Sequence, residues 1–458
     1  MGFRHLALVE PLGLETVAGG LDGHEVRLLD LRVEGGLLDT LRSFRPDLCG
    51  ISCSFTVDRD RVLRAAEAMK SVGHGPGPYV VVGGHHASLN PGDFNSPTVD
   101  AIVRGEGEET LPELAACLEE GGDVRSVPGL VLNVGGGQLP TEARQLAHNL
   151  DDLPLPARDL THRHRTRYYL GSERPMAVVE TARGCPYRCK FCSVWQFHRG
   201  RYRAKSPGRV GDEVAATAEP YVLFTDDNFL ADIERARQTA TILRERGLQR
   251  RYAFQARSDS IVAYPDVVDL WRQVGLVSVF VGIEKIDDAG LSSVNKENSV
   301  VNNEKALQLL RRLGVAITAS FIVDPGWRQA DFDALRRYIA SLGIQTPSFT
   351  VLTPLPGTSL YRQLREHVLT EDCELFDLLH AVIPTSLVLS DFYAEMAGLY
   401  RSAYSRGPLL VELLRVLWGD LSRGNLSLFH MRRLAEAART LTDARYYLAG
   451  HGALTTSS

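Results

Sequence analysis

The chain has 458 residues, of which 44% are hydrophobic and 23% charged, with a net charge of −5. This composition suits a folded globular protein of about two to four domains, at ~100–200 residues each, and excludes collagen-like, mucin-like and largely disordered chains. The acidic balance argues against a dedicated nucleic-acid partner, and no apolar run reaches the roughly 18 residues that span a bilayer.

The stretch Met1–Glu10 is too short in apolar residues for a secretory signal, so a cytoplasmic location and no transmembrane segment are expected. Leu6–Val9 is a short apolar run, and Val26–Leu31 alternates as a second strand would. Leu48–Cys53, Tyr79–Val82 and Ala101–Val103 read as three more strands. Helical spacing occupies Arg61–Met69 and Glu109–Leu118 between them. Strands alternating with helices predict an α/β domain over residues 1–140, built on a doubly wound parallel sheet. Ligands of such sheets bind at the carboxyl ends of the strands. Small and polar residues gather there: Ser52–Thr56, Gly83–Ser88 and Gly105–Glu108. Any one of these segments reads equally well as a turn, but three on one sheet edge predict a ligand cleft.

Residues 141–175 form a connecting stretch, extended at the proline-rich Asp151–Ala157. A second α/β series then runs over 176–375. Its strands are expected at Ala177–Ala182, Tyr221–Thr225, Tyr252–Ala256, Ser278–Gly282, Ala316–Val323 and Ser348–Leu352. Helices such as Ile233–Arg246 and Asn303–Leu313 fill the gaps. Six such units predict a partial (β/α)6 barrel of the TIM type, with its site at the strand carboxyl ends. Over 376–458 the strand signal fades into a helical region, with helices expected at Leu409–Leu417 and Met431–Leu441 and a disordered tail at Thr455–Ser458.

Seven cysteines and no signal peptide make a poor disulfide framework. Three of them, Cys185, Cys189 and Cys192, form a C-x3-C-x2-C run just after the first expected barrel strand. Three close thiolates suit an iron–sulfur cluster with one iron left open for a ligand. Zinc, with His198 as a fourth ligand, is the competing reading. Cys49, Cys53, Cys117 and Cys373 have no such setting and read as small core hydrophobes. The run His198–Lys205 is basic and reads as a solvated face or as a hold for an anionic group.

The cysteine run resembles the cluster loop of the radical S-adenosylmethionine (SAM) enzymes. The resemblance extends over ~176–375 and includes Phe191 before the third cysteine, Thr225–Asn228, Gln255–Asp259, Gly282–Glu284 and Thr353–Thr358. It implies a [4Fe-4S] cluster on Cys185, Cys189 and Cys192. It also implies SAM contacts from Phe191, Asp226, Asp227, Asn228, Gln255, Arg257, Ser258 and Glu284. The first domain resembles the Rossmann-like cobalamin-binding domain that precedes this barrel in one radical SAM class, through Gly83–Pro91, Gly105–Leu111 and the linker Leu150–Ala157. That likeness implies cobalamin contacts from Ser54, Thr56, Gly83, Gly84, His85, Gly105, Glu106, Gly107 and Glu108. The D-x-H-x-x-G loop of other cobalamin proteins is absent: Asp22-Gly23-His24 is followed by Arg27 where glycine is required. This agrees with a class that generally puts no protein histidine on cobalt.

The resemblance implies an enzyme that makes a 5′-deoxyadenosyl radical and methylates an unactivated carbon through methylcobalamin. It also implies an electron donor such as flavodoxin or ferredoxin as partner. Cys192–Phe197 and Val351–Gly357 are most similar to hopanoid C-3 methylases, so the expected substrate is a hopanoid-like lipid or a natural-product precursor. A non-methylating rearrangement, cyclisation or ring contraction is the alternative. An iron–sulfur electron carrier or a cobalamin sensor is a more distant one.

Overall fold

A computed structural model describes residues 6–72, 77–404 and 428–451. The N-terminal sheet has five strands in sequential order: β2 (Leu48–Ser52), β3 (Tyr79–Gly83), β4 (Ala101–Val103), β5 (Leu130–Val134) and β6 (Gly137–Pro140). The first three are parallel, and β5 and β6 join antiparallel as a hairpin. β4 is buried along its whole length, as an apolar strand covered on both faces should be. Helices Arg59–Lys70 and Gly107–Glu119 pack on it.

Two expectations for this half are corrected. Val26–Leu31 joins no sheet. The side chain of Arg163 binds the Leu28 carbonyl at 2.8 Å, and the buried Asp30 is paired with Arg32 at 2.7 Å. The segment is held by side chains rather than a ladder. The short strand β1 (Ala7–Leu8) also stays outside the N-terminal sheet. It pairs antiparallel with β7 (Tyr169–Leu170) in the connecting stretch. Beside it Glu10 is buried, accepting a 2.5 Å hydrogen bond from the Val178 amide and pairing with Arg158 and Arg165.

The second sheet holds β8 (Met176–Val179), β11 (Tyr221–Phe224), β12 (Arg251–Ala256), β13 (Leu276–Glu284), β14 (Ala316–Val323) and β15 (Pro347–Val351). All pairings are parallel and follow chain order, which is the partial barrel expected. The small ladder between β9 (Ala182–Arg183) and β10 (Arg203–Ala204) lies apart from it. Three of the helices begin where side chains cap them: Asp232, Ser299 and Thr358 accept from the amides of Arg235, Asn302 and Tyr361.

Alternate residues divide the barrel wall into two faces. The outward set, including Val222, Phe254, Val281, Ala319 and Phe349, joins the helices in the main core around Trp271. The inward set near the strand starts, Met176, Val178, Tyr221 and Ala253, packs with Leu8, Tyr168 and Tyr169 into an apolar floor.

Helix Leu389–Tyr404 covers the β15 edge, with the Tyr400 hydroxyl donating to the Phe349 carbonyl at 2.7 Å. Helix Leu428–Thr442 contains the expected Met431–Leu441, while Leu409–Leu417 and Thr455–Ser458 lie outside the described residues. No helix among the described residues is long and apolar enough to cross a membrane.

Candidate active site at the facing strand ends

The three cysteines occupy an excursion closed by the β9–β10 ladder. Gly184 opens it with φ +86°, and a Cβ there would collide with the Arg201 carbonyl, so glycine is required. The loop is pinned to the barrel from both sides. The Lys190 amide donates to Val294 O at 3.0 Å and Leu360 N donates to Lys190 O at 3.0 Å, while within the loop the Trp195 indole donates to Cys189 O at 3.2 Å. Phe191 packs with Val294, Ile322, Leu352 and Leu360.

Burial raises the pKa of all three thiols, that of Cys192 to about 12 with help from Asp227 and the other two thiols. Such thiols ionise when a metal's positive charge lies against them. Among the described residues, no three His, Cys, Asp or Glu side chains converge on a single-ion site. A four-iron cluster instead spreads its thiolates over separate irons. His198, the alternative zinc ligand, is buried and turns Nδ1 to Arg203 at 3.2 Å.

The residues expected around SAM divide into two groups. Asp226 is 1% exposed and fully engaged: it accepts from the Thr181 and Ala182 amides at 2.7 and 3.0 Å and from the Thr181 hydroxyl, and it pairs with Arg235 at 3.4 Å. It fixes the chain leaving β8 and has no lone pair to spare for a cofactor. Ser258 is likewise buried between Asn303 and Asn298. Both side chains are spent on protein partners in this structure.

The others are partnered differently. Asp227 is half-buried, and burial beside Asp226 pushes its carboxyl up to about 7. Asn228 is 1% exposed, and both its carboxamide atoms lack a protein partner. Leaving such atoms unmet costs ~1–3 kcal/mol each, which marks a place for a polar ligand. Gln255 donates to the Asp226 carbonyl at 2.7 Å. The Arg257 guanidinium lies 3.5 Å from the Tyr187 ring centroid, pairs with Asp259, and binds the Lys296 and Glu297 carbonyls. Glu284, at φ +63°, pairs with Lys296 at 2.7 Å. A Cβ at Gly282 would collide with Glu284 Oε1, so that glycine makes room for the pair. Sequence reasoning missed Lys296, which no motif marks.

The carboxyl ends of β2, β3 and β4 face this loop. Gly84, at φ +103°, lets the turn after β3 close on Cys53, to whose carbonyl a Cβ would come within 2.9 Å. His85 stacks on Phe197 at 4.6 Å and places Nε2 2.8 Å from Ser193 Oγ. Burial lowers its pKa to about 4, so the ring is neutral. Thr56 bonds His86, which in turn meets Asp93. Glu106 binds Arg183 at 2.9 Å, Arg203 at 2.7 Å and the Ala147 amide at 2.8 Å. Glu108 binds Arg183 at 2.6 Å. These two carboxylates are bound to the arginines flanking the cysteine loop, with Glu108 Oε2 left without a protein partner. The edge nevertheless keeps open ground for a large ligand: Ser54 is exposed, Phe55 is 69% exposed, and Gly105 faces space where a Cβ would meet nothing within 4 Å. Gly83 ends β3, and Gly107 begins the helix behind it.

The fold thus sets a three-thiol loop at the mouth of a parallel partial barrel, against the edge of a Rossmann-like sheet. Two family models match in that order: the B12 binding domain over residues 6–115 and the radical SAM superfamily over 179–339. The chain is 34% identical over 426 residues to hopanoid C-3 methylase of Methylococcus capsulatus, covering 91% of this chain and 81% of that one. It is 26% identical to anaerobic magnesium-protoporphyrin IX monomethyl ester cyclase of Rubrivivax gelatinosus, over 82% and 69% of the two chains. Its fold matches the radical SAM methyltransferase TsrM of Kitasatospora setae with TM-score 0.68 at 19% identity, over 96% and 97% of the chains. The protein belongs to the cobalamin-dependent radical SAM enzymes, in the family that includes hopanoid C-3 methylase. Its cofactors are cobalamin, SAM and a [4Fe-4S] cluster.

Proposed function

We propose that this enzyme is a C-methyltransferase acting on an unactivated carbon of a small molecule or lipid. The observation that carries the reading is the apposition of the two strand edges, seen in the 2.8 Å contact of His85 with Ser193, the neighbour of Cys192. Bound there, the three cofactors supply one electron, a 5′-deoxyadenosyl radical and a methyl group, chemistry that protein side chains cannot provide.

The chain's own residues hold and aim. Cys185, Cys189 and Cys192 ligate the cluster. Phe191, Asp227, Asn228, Gln255, Arg257 and Glu284 border SAM, and Asp226 and Ser258 brace that wall. The loops at 52–56, 83–88 and 105–108 carry cobalamin, with Glu106 and Glu108 locking them to the barrel. An electron enters from a small protein donor such as flavodoxin or ferredoxin.

Product stoichiometry tests the reading. A methyltransferase of this kind releases S-adenosylhomocysteine and 5′-deoxyadenosine in roughly equal amounts and transfers label from methyl-deuterated SAM. The similarity to the cyclase favours a second reading, in which no methyl moves. A product without mass gain and without matching S-adenosylhomocysteine would establish that alternative.

A further inference from the structure

The inward face of the barrel carries a band that neither the floor nor the mouth absorbs. Phe280 sits mid-way along β13, with strands on both sides, yet it is 39% exposed. Its neighbours Val279 and Val281 are buried in the outer core, so its ring points the other way, into the barrel. A barrel interior is ordinarily filled by bulky branched side chains. Here the level of Phe280 is shared by Gln255 on one side and Thr318 on the other. The next level toward the mouth holds Gly282, Ser320 and Ser348, and Thr350 lies one level beyond Ser348. These residues are too small to fill the lumen. Among the described residues, the hydroxyls of Thr318 and Ser320 bond no protein group. Apolar residues lie below, in the Tyr168–Tyr169 floor, and above, at Ile322 and Leu352. Phe280 lies two residues before Gly282, over which the Glu284–Lys296 pair folds back across a bulge, ~7 Å deeper at ~3.3 Å per residue.

We infer that this band is the substrate's inner subsite, and that it takes a neutral, ring-bearing group carrying a hydroxyl or similar hydrogen-bonding function. The inference rests on the enzymatic reading above and narrows its substrate class. Phe280 offers a face to a flat or cyclic group. The open hydroxyls of Thr318 and Ser320 offer donors and acceptors, and the charged pair against Gly282, Glu284–Lys296, is already neutralised. A bare polycyclic hydrocarbon pushed to this depth would strip water from those hydroxyls and return nothing, so the wall discriminates against it.

A matched pair of probes tests this: indane and 1-indanol, titrated calorimetrically into the full chain loaded with cluster and cobalamin. The expected result is that 1-indanol binds about tenfold more tightly, as one net hydrogen bond would give. In Thr318→Val with Ser320→Ala the ratio should fall toward one with indane affinity unchanged, while Phe280→Leu weakens both. Tighter or equal binding of indane, no binding of either probe at millimolar concentration, or an unchanged ratio in the double variant would overturn the inference. Methylation of a saturated polycyclic hydrocarbon would overturn it too, yet leave the methyltransferase reading intact. Conversely, the expected affinity ratio in an enzyme that releases no S-adenosylhomocysteine would keep the subsite and remove the methyltransferase.

Discussion

Arg183 Nη1 lies 2.9 Å from Glu106 Oε1, joining the residue before the cysteine loop to the turn after β4. Both side chains are about 8% exposed, and Arg203 shares the same carboxylate. These contacts hold the pKa of Glu106 at about 2 against the upward push of burial. A folded pKa below the unfolded ~4.3 contributes stability that is present above that value and lost as pH falls toward about 2. Glu106→Gln should therefore cost ~3 kcal/mol at neutral pH, and wild type and variant should converge across that acid window. Urea unfolding at stepped pH measures both effects.

His85 gives a second, separable pH signal. Its folded pKa of about 4 lies below the ordinary ~6.5, because burial disfavours the charged ring. Unfolded chains bind the proton first, so stability drains as pH falls between those two values. His85→Phe keeps the stack on Phe197 and should flatten that slope by one proton, read from denaturation midpoints at pH 7, 6 and 5.

Cysteine substitutions should separate by place. Anaerobic reconstitution is expected to give about four irons per chain. Cys185→Ala, Cys189→Ala and Cys192→Ala should each lose most of the iron and the charge-transfer absorbance. Cys117→Ala, on a helix of the other domain, should retain both.

Asp226 and Asn228 are two residues apart and should behave oppositely. Asp226→Ala strands two buried amides and Arg235, for a loss of ~3–5 kcal/mol. Asn228→Leu breaks no protein hydrogen bond and should leave stability within ~1 kcal/mol. It should instead weaken SAM binding, measured by equilibrium dialysis against the cluster-loaded enzyme.

The barrel was readable because each strand is a short apolar run stopped by a polar or glycine-rich end. Ala316–Val323 matches its expected bounds, and the other five differ by a few residues at one end or both. Val26–Leu31 misled because alternation marks one buried face, whatever satisfies the backbone. The β5–β6 hairpin was missed although Gly135 and Gly136, both at positive φ, mark its turn, because Gly137–Pro140 is no apolar run. The partnership of Glu106 with Arg183 could not be read at all: 77 residues separate them, and a glutamate in a glycine-rich turn looks the same whether it meets a ligand or another domain.

The pairing of β1 with β7, with Glu10 buried beside the first barrel strand, makes the chain's opening segment a tether. The two lobes are joined there by backbone ladder as well as by the linker. A protease cut within residues 141–157 should leave the fragments migrating together under native conditions. The same interface is closed a second time where His85 meets Ser193 of the cysteine loop and Asn90 donates to the Pro356 carbonyl, so a single cut in the linker leaves both sets of contacts in place.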